Sequence, residues 1–412
     1  MNQQHPGRAL RVGIAGCGKI SRNHLQAFAE LDSVEVVGVC DIDLGRAEST
    51  AAEWGVPAAV RSLDELLGLG LDLVSVCTPH PAHEEAVLAA AAAGTHVLCE
   101  KPIAVDLASA ERMVRACDAA GVRLGVLFQR RFWPASQRVR AAIDDGTLGT
   151  PVLGHASVLL HRDPEYYSTD AWRGTWATDG GGVLMTQAVH YIDLLQWYLG
   201  DVAEVHGAVN TFKHGADIEV EDSASAVITF TSGALATLSA STAASPALGA
   251  QVRITGSTGA TVELTEFPEG SAGRVTLHAA DGVVGSSPAH PAGAEPNAGL
   301  SAIHAGLAPY HAAQIREFVD AVSRGDDPAV TGRDAVNALR ILLAVYESAR
   351  TGAPVRFAPF PSDGPVAPTQ VTAHVATVAA ANVAEGGEDP APTPGTAAPA
   401  PPTAVVHSGG TP

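Results

Sequence analysis

The stretch that decides the fold is LRVGIAGCGKIS, residues 10–21. It begins with a short apolar run of the kind that forms a buried strand, and it continues into a turn that contains glycines. The segment that follows, KISRNHLQAFAEL at 19–31, repeats its apolar residues at helical spacing. A strand, a glycine-containing turn and a helix in this order predict the first unit of a parallel sheet.

The same alternation continues over the next hundred residues. Continuous apolar segments, which are typical of strands covered on both faces, lie at 34–41, 71–79, 96–102 and 122–129. Segments with helical spacing lie between them, at 45–55, 80–94 and 107–121. This order predicts right-handed strand–helix–strand units and a doubly wound parallel sheet of the α/β class.

The pattern changes after Pro134. Alternating apolar and polar residues, which are typical of strands with one covered face, lie at 151–161, 204–214, 224–233, 234–242 and 250–267. Helical patterns lie at 135–145, 183–200, 312–325 and 334–352. This half is predicted to be an α+β domain with a large, open, mostly antiparallel sheet.

Two local features of this half carry their own expectations. Asp179 precedes the helical pattern at 183–200 and is predicted to be its N-cap. Residues 268–300 are rich in Gly, Ala and Pro and are predicted to form a loop.

The chain is predicted to divide into three parts. Residues 8–130 form the first domain and residues 131–357 the second. Residues 358–412 are rich in Ala and Pro, show no periodicity and are predicted to be a disordered tail.

Charge and composition exclude several classes of protein. The chain has 25 Lys and Arg against 44 Asp and Glu, so its net charge is −19. Nucleic acids and anionic membranes require basic surface, so neither is expected as a partner, although a local basic pocket for a small anion is allowed. No apolar run is long enough to span a bilayer and the start lacks a signal pattern, which predicts a cytoplasmic protein. The five cysteines have no CxxC spacing and are expected in the core rather than at a metal site.

The turn after the first strand has the spacing of a dinucleotide site, with Gly16, Gly18 and, in place of a third glycine, Ser21. Such glycines let the backbone approach a pyrophosphate, whose charge the helix N-terminus favours. Asp41 ends the next strand 25 residues after Gly16 and is predicted to bind ribose hydroxyls. Its charge favours NAD over NADP, although Arg46 weakens this preference. A tight turn without a ligand is the alternative.

The stretch CEKP, 99–102, places two charges where a buried strand ends. Ligands of open α/β sheets bind at the carboxyl ends of the strands, so Lys101 could reach the nicotinamide and the group that reacts with it. An exposed Glu–Lys pair, which would stabilise the fold little, is the alternative. The residues predicted from the sequence pattern to contact the cofactor are Gly16, Gly18, Lys19, Ile20, Asp41, Thr78, Pro79, Glu100 and Lys101.

Seven segments resemble the Gfo/Idh/MocA oxidoreductases in order and spacing. They are GCGKIS (16–21), CDID (40–43), CTPHPAH (77–83), EKP (100–102), GTLG (146–149), GGGVLMTQAVHYID (180–193) and YHAAQIREFVDAV (310–322). The resemblance implies an N-terminal Rossmann domain and a C-terminal domain whose open sheet packs against another subunit. It also implies NAD(P)-dependent chemistry on a secondary alcohol of a sugar or cyclitol.

The resemblance implies roles for individual residues. Lys101 matches the lysine that contacts the substrate oxygen and the nicotinamide, His190 matches the acid/base histidine, and His83 matches a position near the cofactor ribose. Many inositol dehydrogenase-like members have Asp four residues before this histidine, where the present chain has Thr186. The proton path therefore uses Lys101 and His190 alone or is assisted by Gln187 or a substrate group.

The chemistry is consistent with these roles. A histidine titrates near neutrality and is suited to removing a hydroxyl proton, while a nearby cation stabilises the developing alkoxide. From the residues alone, His190 would be a packed helix histidine, and the resemblance is what favours catalysis. Asp193 could orient His190 or be structural.

The segment HRDPEYYSTDAWRGTWATDGGG, 161–182, is rich in Tyr, Trp and Arg. Aromatic rings stack on sugars and arginines pair with carboxylate or phosphate. The segment resembles the family branch of 3-dehydrogenases for nucleotide sugars, uronates and glycosides. For Trp172 and Trp176, a supporting aromatic loop is an equal alternative. The residues predicted to contact substrate are Arg131, Arg162, Tyr167, Trp172, Arg173, Thr186, Gln187 and His311.

The sequence therefore predicts NAD-dependent oxidation of a ring secondary hydroxyl of a sugar, at C3, or the reverse reduction. The alternatives are an inositol dehydrogenase and a non-catalytic NAD-binding sensor or scaffold. A homodimer or homotetramer formed through the C-terminal sheet is expected.

Overall fold

The computed structural model describes residues 8–170, 172–279, 282–286, 295–297 and 299–357. The predicted disordered tail at 358–412 lies outside the described residues. In the described part of the chain, no helix has both the length and the apolar character needed to cross a bilayer.

The N-terminal part is a six-stranded parallel sheet. Its strands are β1 (Leu10–Ala15), β2 (Val34–Cys40), β3 (Ala59–Val60), β4 (Leu73–Val76), β5 (His96–Cys99) and β6 (Leu124–Val126). Its helices are α1 (Ser21–Ala29), α2 (Leu44–Trp54), α3 (Leu63–Leu67), α4 (His83–Ala92) and α5 (Leu107–Ala120). The strand order is β3-β2-β1-β4-β5-β6. The order reverses between β1 and β4, which opens a crevice at their carboxyl ends. The predicted Rossmann architecture is confirmed.

The C-terminal part is a nine-stranded sheet with the order β14-β13-β12-β11-β7-β10-β9-β8-β15. Its strands are β7 (Pro151–Leu159), β8 (Val202–Asn210), β9 (Ser223–Phe230), β10 (Leu235–Ser241), β11 (Gly249–Gly256), β12 (Thr261–Glu266), β13 (Arg274–Ala279), β14 (Gly282–Ser286) and β15 (Val355–Arg356). The pair β7–β10 is parallel, and the other pairs of described strands are antiparallel. The predicted large, mostly antiparallel sheet is therefore confirmed.

Helices cover one face of this sheet. They are α6 (Pro134–Asp144), α8 (Val189–Leu199) and α10 (Gly332–Thr351). The C-terminal half also contains α7 (Pro164–Ser168) and α9 (Leu300–Arg324). In β9 the residues alternate, so that Ile228 and Phe230 are buried while Val227 is 51% exposed. Such alternation is what a sheet with one covered face requires.

The prediction of a loop at 268–300 is partly wrong. Residues 274–279 and 282–286 form β13 and β14 at the edge of the sheet, where Val275 pairs with Leu264 of β12. Both strands are short, and the glycines beside them mark turns, so the composition masked the strand pattern. Residues 287–294 of the predicted loop lie outside the described residues.

Helix α9 connects the two halves of the molecule. It packs along α1, and its Ile315, Phe318 and Val319 are part of the same buried cluster as Val12 and Ile14 of β1. A helix from the C-terminal half therefore completes the core of the N-terminal sheet. The predicted domain boundary at 130/131 stays a prediction.

Candidate active site

The turn after β1 contains two glycines, one packed tightly against neighbouring backbone and one beside open space. Gly16 has a φ of +93°, and a β-carbon there would lie 2.7 Å from the carbonyl carbon of Cys77. A β-carbon on Gly18 would meet nothing within 4 Å. Gly16 therefore lets the turn pack on the end of β4, while Gly18 faces space that a ligand could occupy. Lys19, next in the turn, is exposed, and Ile20 is half-buried against the core under α1.

Asp41 lies at the end of β2 and is 7% exposed. Its carboxylate accepts the backbone N–H groups of Cys17 and Asp43, both at 2.9 Å, and Arg46 lies 3.5 Å away. A carboxylate has about four acceptor positions, so Asp41 can still accept ribose hydroxyls. The neighbouring Ile42 is 88% exposed and offers an apolar surface for a base, a feature that the sequence reasoning missed.

The loop after β4 contributes Thr78, Pro79 and His83. The Thr78 hydroxyl is buried without a hydrogen-bond partner in the described structure. His83 is fully buried, and its ring nitrogens lie 2.9 Å from the carbonyls of Thr78 and Pro102. Burial lowers the pKa of His83 although both carbonyls favour protonation. The structure thus places His83 as a bridge between the two loops that end β4 and β5.

These features fit a dinucleotide. The open space at Gly18, the spare acceptor positions of Asp41, the exposed Ile42 and the unpartnered hydroxyl of Thr78 lie along the carboxyl edge of the sheet. A buried hydroxyl without a partner costs free energy, and a bound ligand would supply the missing bond.

Glu100, the first charge of CEKP, faces the interior. It is 7% exposed and accepts a hydrogen bond from the backbone N–H of Lys101 at 3.1 Å. His24 of α1 lies 2.9 Å from its Oε1, and His311 of α9 lies 3.8 Å from it. Burial opposes ionisation, but His24 holds the pKa of Glu100 at about 2. Ser75 fixes the other ring nitrogen of His24 at 2.7 Å.

Lys101, the second charge of CEKP, connects the loop after β5 to the segment that precedes α8. Its Nζ donates to the carbonyl oxygen of Thr186 at 2.8 Å. Burial lowers the pKa of Lys101 to about 8. The charge of Arg130 lowers this pKa further, while the carboxylates of Glu100 and Asp179 raise it. This half-buried ammonium can therefore change its charge in the alkaline range.

His190 lies in α8, four residues after Thr186. It is 3% exposed, and its Nδ1 has no hydrogen-bond partner in the described structure. The edge of the ring packs on Phe128, with 5.9 Å between ring centroids. Burial, followed by the charges of Arg130 and Lys101, lowers the pKa of His190 well below its usual value. The imidazole is therefore neutral, and its surroundings make it a weaker base than a free imidazole.

The helix that carries these groups begins irregularly. Leu184–Ala188 is π-helical, and α8 follows directly. The carboxylate of Glu221 accepts the N–H groups of Gly182 at 2.8 Å and Leu184 at 2.9 Å. Single-turn π segments are frequent at functional sites.

The prediction that Asp179 is the N-cap of this helix is wrong. Its Oδ2 accepts the N–H of Gly174 at 2.9 Å, while Glu221 holds the start of the helix. Asp179 Oδ1 is buried without a hydrogen bond, 3.5 Å from Nδ1 of His80. Burial raises the pKa of Asp179 to about 6 against the charges of Arg173 and Lys101.

A chain of polar side chains leads away from Lys101. The hydroxyl of Thr186 donates to the Gly182 carbonyl at 2.8 Å and also contacts Oε1 of Gln187. Nε2 of Gln187 donates to the hydroxyl of Tyr166 at 3.1 Å, and Nη1 of Arg173 donates to the same hydroxyl at 2.8 Å. Tyr166, which the sequence reasoning passed over, thus joins Arg173 to the residues beside Lys101.

Two arginines predicted to contact substrate are paired with carboxylates within the protein. Arg131 binds Asp193 through Nε and Nη2, at 2.8 and 2.6 Å, and also approaches Asp334. Arg162 binds Glu269 through both terminal nitrogens, at 2.8 and 2.7 Å. These pairs occupy much of each guanidinium, and Asp193 is bound to Arg131.

The predicted aromatic and histidine contacts have varied surroundings. The hydroxyl of Tyr167 bonds Thr242 at 2.9 Å. Trp172 packs against His80 with 4.8 Å between ring centroids, and Trp176 packs against Tyr346 at 5.2 Å. His311 is buried, with Nδ1 at 3.2 Å from the Leu307 carbonyl.

The comparisons with known proteins cover both halves of this site. Residues 10–128 match the oxidoreductase family with an NAD-binding Rossmann fold, GFO_IDH_MocA, and residues 136–262 match the GFO/IDH/MocA C-terminal domain. The first range contains Lys101 and the second contains His190.

Individual relatives extend over most of the chain. D-apiose dehydrogenase from Paraburkholderia graminis is 30% identical over 363 residues, 87% of this chain and 92% of that protein. 1,5-Anhydro-D-fructose reductase from Ensifer adhaerens is 31% identical over 344 residues, 83% of this chain and 97% of that protein. The crystal structure of the WlbA dehydrogenase from Bordetella pertussis, in complex with NADH and UDP-GlcNAcA, is 31% identical with a TM-score of 0.71. That match covers 86% of this chain and 100% of the other.

Proposed function

Because the chain belongs to the Gfo/Idh/MocA family of NAD-binding oxidoreductases, we propose that it oxidises a ring secondary alcohol of a sugar, at C3, or performs the reverse reduction. The observation that carries the proposal is the bond from Lys101 Nζ to the Thr186 carbonyl, 2.8 Å long, four residues before His190 in the helical segment. It joins the crevice of the first domain to the helix of the second.

The relatives support a carbohydrate substrate. Two of them are named for D-apiose and 1,5-anhydro-D-fructose, and a third was crystallised with a nucleotide-linked sugar acid. The chain covers more than nine-tenths of each of these proteins, so the comparison applies to whole enzymes rather than to a shared domain.

The proposed mechanism assigns one task to each group. When bound, NAD supplies the hydride acceptor for the carbinol carbon. Neutral His190 accepts the hydroxyl proton, and the Lys101 ammonium stabilises the negative charge that develops on the oxygen. The Thr186 carbonyl fixes the direction of Lys101 Nζ, so that Lys101 is held in place before the substrate arrives.

Position 186 carries a threonine in place of a carboxylate. Thr186 contributes its backbone carbonyl to Lys101 and uses its hydroxyl within the helix, on Gly182. The proton path proposed here therefore runs from the substrate to His190 without a carboxylate from that position.

Two substitutions test the proposal. We expect His190→Asn and Lys101→Met each to lower kcat by about 10²- to 10⁴-fold, because each removes a group that acts on the transition state. Turnover is followed by NADH absorbance with a panel of sugars, glycosides, UDP-sugars and myo- and scyllo-inositol. Arg324→Met, at a side chain that is 59% exposed beside Asp326, is the control.

The outcomes separate the alternatives. Turnover of inositols above that of every sugar would replace the sugar proposal with an inositol dehydrogenase. NADH binding without turnover of any alcohol would favour a sensor or scaffold. Near-normal turnover in either variant would contradict the proposed mechanism.

Assembly and location stay predictions. A homodimer or homotetramer could form through the uncovered face of the nine-stranded sheet, where Leu153, Val227 and Leu235 are about half exposed. Sedimentation would measure the oligomeric state, and cell fractionation would test the expected cytoplasmic location.

A further inference from the structure

The arginines near this site differ in how their guanidinium groups are used. Arg130 binds Glu266 through Nε and Nη2, at 3.2 and 3.1 Å, and Arg131 and Arg162 are paired with carboxylates in the same two-pronged way. Such pairs leave little capacity for a ligand.

Arg173 is held differently. Its Nε donates to Asp170 at 3.2 Å and its Nη1 to the Tyr166 hydroxyl at 2.8 Å. In the described part of the chain, Nη2 has no hydrogen-bond partner. The guanidinium carbon lies 4.6 Å from the ring centroid of Tyr166 and 4.5 Å from that of Trp172. The two rings fix the plane of the group, and its one ion-pair partner among the described residues is Asp170.

Arg173 also lies close to the proposed reaction centre. Tyr166 links it to Gln187, whose neighbour Thr186 holds Lys101. The pKa of the half-buried His304 of α9 is lowered by burial and then by the charges of both Lys101 and Arg173. Both cations therefore act on His304, although the whole chain carries a net charge of −19.

We propose that the substrate carries a negatively charged group, a carboxylate or a phosphate, and that Arg173 binds it through Nη2 while Tyr166 and Trp172 hold the guanidinium. This rests on the proposed function and specifies its substrate class. Three features argue for it: a fixed guanidinium plane, a free donor on it, and a link of two side chains to the residues at Lys101. The buried Arg130, Arg131 and Arg162 lack this combination because each is bound through two nitrogens to a carboxylate, whereas the half-buried Arg173 meets Asp170 through Nε alone.

The test measures binding rather than turnover, so it does not depend on the proposed reaction. Protein saturated with NADH is titrated calorimetrically with D-glucose, D-glucuronate, D-glucose 6-phosphate and UDP-glucose. We expect at least one acidic probe to bind about 10- to 100-fold more tightly than glucose, since hydrogen bonds to charged groups have that strength. The glucuronate and phosphate arms distinguish the two kinds of anion.

Variants assign the effect to the residue. Arg173→Met should remove the preference for the acidic probe, and Arg173→Lys should retain part of it. Arg324→Met, at a side chain that is 59% exposed beside Asp326, should leave the preference unchanged. Thermal unfolding of each variant checks that the loop still folds.

Three results would overturn the inference. The first is that glucose and all acidic probes bind with equal affinity. The second is that Arg173→Met still binds an acidic probe more tightly than glucose. The third is that Arg173→Met weakens the binding of neutral and acidic probes equally. If the protein oxidises a sugar but shows no preference for acidic probes, the proposed anion site is wrong and the proposed reaction still stands.

Discussion

Gly16 and Gly18 are two residues apart, yet the structure gives them different reasons to be glycine. Gly16 adopts a φ of +93° and lies against the backbone of Cys77, just after β4. Gly18 has open space where a β-carbon would point. We predict that Gly18→Ala leaves the unfolding temperature unchanged and weakens NADH binding at least about tenfold, because the methyl group would fill the space of the pyrophosphate.

The matched substitution is Gly16→Ala, which should lower the unfolding temperature because it places a β-carbon 2.7 Å from backbone atoms at a positive φ. Fluorescence titration with NADH and thermal unfolding measure the two effects. If Gly18→Ala binds NADH as the unaltered protein does, the proposed cofactor position is wrong.

Asp179 gives a prediction about pH. Its carboxylate opposes the lowering of the pKa of Lys101, which burial brings to about 8. Asp179 has a pKa of about 6, so it is ionised over the range in which Lys101 loses its proton. Asp179→Asn removes this negative charge, so the pKa of Lys101 should fall further. Lys101 would then lose its ammonium charge at lower pH.

The expected result is an alkaline limb of the kcat profile that moves to lower pH by roughly half a unit to one unit. The profile is measured under saturating substrate, with Asp326→Asn as the control because that carboxylate is 59% exposed beside Arg324. A limb that stays in place would mean either that Asp179 does not act on Lys101 or that this limb does not report on Lys101.

At this scale the sequence predicted the residue types near the crevice but not their partners. The arginines at 131 and 162 were expected to contact substrate, as their chemistry allows. Their carboxylate partners, Asp193 and Glu269, lie 62 and 107 residues further along the chain. Periodicity shows which face a residue occupies, but it does not show which distant charge meets it.

Among the elements, the start of the helix before His190 depends on Glu221. This buried carboxylate holds Gly182 and Leu184 and also accepts the Tyr346 hydroxyl at 2.9 Å. A β-carbon on Gly182 would lie 1.7 Å from the Glu221 carbonyl oxygen, so the backbone there would have to move. We predict that Gly182→Ala destabilises the protein by roughly 1–3 kcal/mol and lowers kcat, since Thr186 and His190 follow the same segment.

Gly215→Ala is the matched control, because its β-carbon would meet only a methyl group of Thr211 at 4.0 Å. Urea unfolding and NADH-linked turnover are the measurements. Normal kcat in a destabilised Gly182→Ala protein would show that the segment tolerates displacement without moving the reacting groups.

The sequence predicted the regular elements because their apolar periods are long and uninterrupted. It predicted the wrong cap for this helix because the local candidate, Asp179, was in place, whereas Glu221 comes from a position 39 residues after Gly182. It missed the edge strands β13 and β14 because five or six residues provide too little alternation to stand out from the glycines beside them.

For the whole molecule, the decisive contact is between the two halves. The fold class followed from the alternation of patterns along the chain, and the structure confirms it. That α9 completes the core of the first sheet could not be read from its own amphipathic pattern, because such a pattern does not identify the surface that it covers.

This contact predicts how the molecule unfolds. Phe318 of α9 is 1% exposed, and its ring fills the space above Gly125 of β6, where a β-carbon would lie 2.6 Å from it. Phe318→Ala should cost about 3–5 kcal/mol and lower the unfolding temperature by roughly 5 °C. Since α9 belongs by sequence to one half and by packing to the other, calorimetry should show one shared transition that shifts as a whole. Phe212→Ala, at a residue that is 75% exposed, should leave the transition in place. Two separate transitions, of which only one shifts in Phe318→Ala, would show that the halves unfold independently and that α9 does not couple them.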